Sequence, residues 1–125
     1  MRLLVDTTVF VDFLRGYPRA VHYLRNLEHR PFVSAMTVAE LYCGVREGAE
    51  RQTLDRVLSG CEHVPIDDMV AEKAGLMFRK FSGSHGVGMA DALIAACADI
   101  VNAQLVTHNR KHFPMLAEVV VPYGG

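Results

Sequence analysis

Apolar residues fall along this chain in short blocks of two kinds, compact runs and helically spaced sets. Leu3-Leu4-Val5, ahead of Asp6, is a compact run that predicts a strand over residues 2–6. Val9, Phe10, Phe13 and Leu14 then recur at helical spacing until Gly16 ends the pattern. A second helix is predicted over residues 18–29, with Val21, Leu24 and Leu27 on one face, and Pro31-Phe32-Val33-Ser34 predicts a second strand. Val38, Leu41, Tyr42 and Val45 mark a helix over residues 37–46, and Leu54, Val57 and Leu58 mark another over residues 50–59. His63-Val64-Pro65-Ile66 predicts a third strand, Asp67 a cap, and residues 69–81 an amphipathic helix with Val70, Ala74, Met77 and Phe81 inward. Residues 82–88 form the one glycine-rich stretch and read as a loop, with Gly83, Gly86 and Gly88 in it. Residues 89–101 are nearly all apolar apart from Asp91 and Asp99, which predicts a helix buried on most sides. Residues 104–107 and 118–121 predict the last two strands, closed by Pro122 and a Gly-Gly tail.

Short Val- and Leu-rich strands alternating with helices call for a mostly parallel sheet with helices on both faces, a three-layer α/β/α domain. In such sheets ligands collect beyond the carboxyl ends of the strands, so function belongs on that edge. The length of 125 residues fits a single domain over residues 1–125, large enough to hold a core without disulfides or structural metal. No apolar run approaches the roughly 18 to 20 residues of a membrane span, and the N-terminal run is too short for a signal-peptide core. Cys43, Cys61 and Cys97 are odd in number and widely spaced, so they read as free, buried thiols in a reducing cytoplasm. A formal net charge of −1 requires that any nucleic-acid affinity come from a local patch.

The acids follow the same edge. Asp6 ends the first strand, Glu40 lies early in the helix after the second, Asp91 lies in the first turn of the buried helix, and Asn109 follows the fourth strand. Each has a plainer use: Asp6 as a helix cap, Thr37-Val38-Ala39-Glu40 as a capping box, Asp91 as complement to a helix dipole. Three carboxylates about 4 to 6 Å apart would repel by a few kcal/mol per pair at an effective dielectric of about 20, a cost that capping does not explain and a divalent cation removes. An oxygen-only ligand set suits Mg²⁺ or Mn²⁺ better than Zn²⁺.

Four blocks, Leu4-Val5-Asp6-Thr7-Thr8-Val9-Phe10, Thr37-Val38-Ala39-Glu40-Leu41, Ala90-Asp91-Ala92-Leu93-Ile94-Ala95-Ala96 and Val106-Thr107-His108-Asn109-Arg110-Lys111-His112-Phe113, resemble in order and spacing those of the PIN-domain ribonucleases. The nearest likeness is to the VapC toxins of bacterial and archaeal toxin–antitoxin pairs, over essentially the whole chain. The resemblance implies a metal-dependent endoribonuclease leaving 5′-phosphate and 3′-hydroxyl ends. It also implies Asp6, Glu40 and Asp91 around Mg²⁺ or Mn²⁺, with Asp6 and Asp91 as direct ligands and Thr7 or Thr8, Thr107 and Asn109 as support. A cognate antitoxin and a homodimer are implied as partners, with RNA as substrate. Relatives often carry a further acid at Asn109 or at His112; neither residue here adds negative charge, so one metal is the expectation.

Arg110 and Lys111 stand nearest the site among the candidate RNA contacts, which include Arg15, Arg46, Arg79 and Lys80. Phe10, Phe13 and Tyr42 read as core. His108-x-x-x-His112 follows a strand and has no third zinc ligand at suitable spacing, and the glycine stretch lacks the phosphate-binding signatures. A noncatalytic PIN-like module that binds RNA or protein is the alternative function. A phosphoacceptor receiver fails, because Thr7 follows Asp6 where a second acid is needed and Asp55 sits mid-helix.

Overall fold

A computed structural model of the chain describes residues 1–124, with Ser84 and His85 described in backbone only; the last glycine of the Gly-Gly tail lies outside the described residues. The strands are β1 (Leu3–Val5), β2 (Phe32–Ser34), β3 (Glu62–Val64), β4 (Gln104–Val106) and β5 (Val119–Val120). The helices are α1 (Thr7–Leu14), α2 (Pro18–Arg25), α3 (Ala35–Gly44), α4 (Ala49–Ser59), α5 (Asp68–His85) and α6 (Met89–Ile100), with a 3-10 turn at Arg110–His112. The sheet runs in the order β3-β2-β1-β4-β5, and every neighbouring pair is parallel, going beyond the expected mostly parallel arrangement.

Successive residues of a strand face opposite sides of the sheet, and here each side has its own core. Leu4 and Leu105 enter a cluster with Val70 and Ala74 of α5 and Ala92, Ala95 and Ala96 of α6. Val5 and Val106 enter another with Val9 and Phe10 of α1 and Leu54 and Leu58 of α4. Burial on both faces explains why these strands are apolar runs and not alternating ones. The small residues of α6 let it lie close to α5 and the sheet, so it is buried on most sides as its composition predicts. Ile94, 2% exposed, fills that layer, and Ile94→Ala is expected to cost about 2 to 5 kcal/mol. A lowered urea midpoint at unchanged m-value is the check; an unchanged midpoint would contradict this packing.

Four expectations need correction. α5 continues through residues 82–85, where a loop is expected, because the stop signal is Gly86 in the left-handed conformation (φ 65°) and not the earlier Gly83. α3 begins two residues before the expected start: Ser34 is its cap, accepting from the Met36 amide at 3.1 Å, so Thr37-Val38-Ala39-Glu40 is not a capping box. Within α3, Thr37 and Leu41 face inward while Tyr42 and Cys43 face out. Tyr42 is therefore not core; its hydroxyl donates to Asp55 at 2.6 Å and its ring lies under Arg51. Cys43 is likewise an exposed free thiol, whereas Cys61 and Cys97 are buried. Among the described residues no helix is long and apolar enough to cross a membrane.

Candidate active site

The strand order reverses at β1, which has β2 on one side and β4 on the other. In parallel sheets of this kind ligands bind beyond the carboxyl ends of the strands at such a reversal, here the ends of β1 and β4. The β1–β4 register pairs Val5 with Val106, and the Asp6 amide continues the ladder to the Val106 carbonyl at 2.9 Å. Asp6 and Thr107, distant in sequence, thus become neighbours by backbone pairing alone.

Asp6 is 4% exposed. Its Oδ1 accepts from the Thr7 amide at 2.8 Å, so it does cap α1. Its Oδ2 accepts from Thr107 Oγ1 at 2.7 Å and from Thr8 Oγ1 at 3.3 Å. Burial pushes the Asp6 carboxyl above the ordinary carboxylate range; the Thr107, Thr7 and Thr8 bonds pull it partly back, and the nearby Asp91 charge adds to the rise. Thr107 Oγ1 in turn accepts from the Asn109 amide at 2.9 Å, so the main chain of Asn109 anchors the hydroxyl that holds Asp6.

Glu40 reaches the site through Thr7, whose Oγ1 donates to Glu40 Oε1 at 2.8 Å and lies 2.9 Å from Thr37 Oγ1. Asp91 arrives from the other core. α6 feeds β4 at the amino edge of the sheet, so its N-terminus stands at the carboxyl edge. There Asp91 Oδ2 accepts from the Gly88 amide at 3.1 Å, within the first turn of α6. His112, carried by the 3-10 turn, brings Nδ1 to 3.6 Å from the same Oδ2. Arg110 and Lys111 lie exposed on the same turn.

The acids share one edge, but among the described residues no three His, Cys, Asp or Glu side chains stand close enough to hold one ion. The close convergence expected from the sequence is replaced by a looser arrangement. Asp6 and Asp91 sense each other electrostatically, and Glu40 is tied to the Asp6 cap through Thr7. Each carboxylate has its own donor, which offsets its burial without requiring a shared cage. His108 does not point toward a joint site with His112; its ring packs edge-on against Tyr123, centroids 4.5 Å apart, while the Tyr123 hydroxyl donates to Asp12 at 2.9 Å. That packing, which ties the C-terminal segment to α1 behind the site, had no sequence signal beyond the aromatic itself. Alongside Glu40 runs a groove of about 540 Å³ lined by Val11, Leu14, Leu41 and Val45, with Arg15 and Arg46 at its wall.

Residues 3–119 match the PIN domain, and this chain belongs to that family. It is 37% identical over 124 residues to Ribonuclease VapC10 of Mycobacterium tuberculosis, spanning 97% of this chain and 92% of that protein. Among solved structures, a toxin–antitoxin complex from Klebsiella pneumoniae matches with a TM-score of 0.83 at 26% identity, over 97% of this chain and 98% of that one. FitAcB from Neisseria gonorrhoeae matches with a TM-score of 0.75 at 29% identity, over 96% and 97%.

Proposed function

We propose that this chain is an endoribonuclease and the toxin of a toxin–antitoxin pair, hydrolysing RNA phosphodiester bonds with Mg²⁺ or Mn²⁺ at the Asp6–Asp91 edge. The observation that carries the reading is Asp6: a buried carboxylate at the point where strand order reverses, facing a second carboxylate, in a chain 37% identical to a named ribonuclease. The residues fit a hard cation. Their donors are oxygens, and Mg²⁺ is ordinarily held by one or two carboxylates, waters and substrate phosphate, with no all-protein cage. Asp6 and Asp91 would be the direct ligands, and Glu40, reached through Thr7, the outer acid. When bound, the cation polarises the phosphodiester and lowers the pKa of water.

The chain's own groups supply the rest. Thr107 and Thr7 hold Asp6 with both oxygens oriented. Glu40 Oε1 is occupied by Thr7, so Oε2 orients the attacking water and receives its proton for in-line displacement. Asn109 and His112 add no negative charge where relatives often have an acid, which favours a single metal. RNA phosphates are met by Arg110 and Lys111, and an antitoxin that covers this edge would silence the site. The active form acts in the cytoplasm as a homodimer.

The test is incubation of antitoxin-free protein with total cellular RNA. Discrete fragments bearing 5′-phosphate ends, lost with EDTA, are expected; intact RNA from folded protein in Mg²⁺ and in Mn²⁺ would favour the noncatalytic binding module. Replacing Arg110 and Lys111 together with Gln is expected to raise KM for the cleaved RNA about tenfold with kcat within about twofold, and to flatten the salt dependence by roughly 0.7 per lost contact. An unchanged KM and salt slope would move the phosphate contacts elsewhere, Arg15 and Arg46 on the groove wall being the next candidates.

A further inference from the structure

Thr37 has a hydroxyl with no bond in its own helix's cap. α3 is capped by Ser34, and Thr37 sits three residues into the helix, 0% exposed, with Glu40 one turn further on. Its Oγ1 lies 2.9 Å from Thr7 Oγ1. Proton counting then gives the direction. A hydroxyl carries one proton, and Thr7 donates its own to Glu40 Oε1 at 2.8 Å, so the Thr7–Thr37 bond must use the proton of Thr37.

We propose that Thr37 is a positioning residue of the cleavage site, its buried hydroxyl donating to Thr7 Oγ1 and thereby committing the Thr7 proton to Glu40. The assignment rests on Glu40 being the acid that orients water. The chain of donors runs from the interior outward, Thr37 to Thr7 to Glu40, and ends on the one acid of the site that sits on α3. It matters because Thr7 serves two acids at once: its amide holds Asp6 Oδ1 and its hydroxyl holds Glu40. With Thr37 donating to it, the Thr7 oxygen has an acceptor role fixed on the buried side, and the rotamer it adopts satisfies both bonds. Without that donor, the hydroxyl can turn to other acceptors, and Glu40 loses its fixed direction while Asp6 keeps its amide bond. The expected loss is therefore in the chemical step and not in RNA binding. Charge-assisted bonds of this kind, buried on one side, are the stronger members of their class.

Thr37→Val removes the donor and keeps the shape; Thr37→Ser keeps the donor and removes a methyl group. Thr37→Val is expected to lower kcat about tenfold with KM within about twofold, whereas Thr37→Ser stays within about twofold of wild type in both. In a Glu40→Gln background, Thr37→Val should cause no further loss, because its effect passes through Glu40. A second readout needs neither metal nor activity. Three-bond NMR couplings to the Thr7 methyl group in metal-free protein should report a single χ1 rotamer in wild type and Thr37→Ser, and an averaged one in Thr37→Val. Wild-type kcat in Thr37→Val, equal losses in Val and Ser, a full additional loss on Glu40→Gln, or unchanged Thr7 couplings in Thr37→Val would each overturn the proposal. If wild-type protein cleaves no RNA, the nuclease reading fails, and the couplings still decide whether the hydroxyl relay exists.

Discussion

An Asp6→Asn variant is expected to lose RNA cleavage by at least about a thousandfold, roughly 4 kcal/mol of transition-state stabilisation, while melting no earlier than wild type in metal-free buffer. The two halves of the result have separate causes. Catalysis falls because Asn lacks the charge that a hard cation requires and carries a donor nitrogen in place of one oxygen. Stability holds because Asp6 is 4% exposed and burial already disfavours its ionised form, so removing the charge relieves desolvation and the push from Asp91. Part of the hydrogen bonding can be rebuilt: the Asn oxygen accepts from the Thr7 amide, and the Asn NH₂ can donate to Thr107 Oγ1, which already accepts from the Asn109 amide. Cleavage rate and thermal melting of the same preparation check both. Retained cleavage would remove Asp6 from the site, and a melting temperature lowered by several degrees would mean that its charge is structural.

Divalent metal should act on stability through the same carboxylate. At about a hundred times its dissociation constant, a cation that binds only the folded chain contributes about 2.7 kcal/mol, a rise in melting temperature of roughly 10 °C for a domain of this size. Mn²⁺ is expected to give such a rise in wild type, EDTA to reverse it and abolish cleavage, and Asp6→Asn to show almost none of it. Without metal, pH carries the complementary sign. Asp6 has a folded-state pKa above its unfolded value, so as pH rises from about 4 through the raised value the unfolded chain releases a proton that the folded chain still holds. The contribution of Asp6 to stability therefore falls across that window and is unfavourable above it. Melting of wild type relative to Asp6→Asn, followed in EDTA from pH 4 to 7, should decline with rising pH. A flat difference, or an equal Mn²⁺ shift in the variant, would place the cation elsewhere.

How far the sequence could be read depended on the range of the interaction. The central strands β1 and β4 are legible because both their faces are buried and leave continuous apolar runs such as Leu3-Leu4-Val5. Residues 82–85 read as a loop from sequence because Ser and Gly weaken a helix locally, yet α5 runs through them to the left-handed Gly86. Tyr42 shares helical spacing with the inward Val38, Leu41 and Val45, yet it lies at the margin of that face, where Asp55 and Arg51 of α4 hold it at the surface. Asp6, Glu40, Asp91 and Asn109 could be assigned to one edge from topology, since the chain direction of parallel strands decides where their ends fall. Their relations could not. Thr107 reaches Asp6 across the β1–β4 pairing, and Thr37 reaches Glu40 through a residue of another helix.

The amino-acid sequence by itself determined the alternation of strands and helices, the layered architecture and the edge on which its acids stand. These follow from local periodicity and from the solvent that each residue type prefers. Only the tertiary structure decided which carboxylate is buried, which donors hold it, that the three acids are joined through Thr7 and charge instead of crowded into one cluster, and that His112 faces Asp91. Hydrogen bonds and desolvation depend on distances of a few ångströms between residues far apart in the chain, and those distances exist only once the sheet has paired and the helices have packed on it.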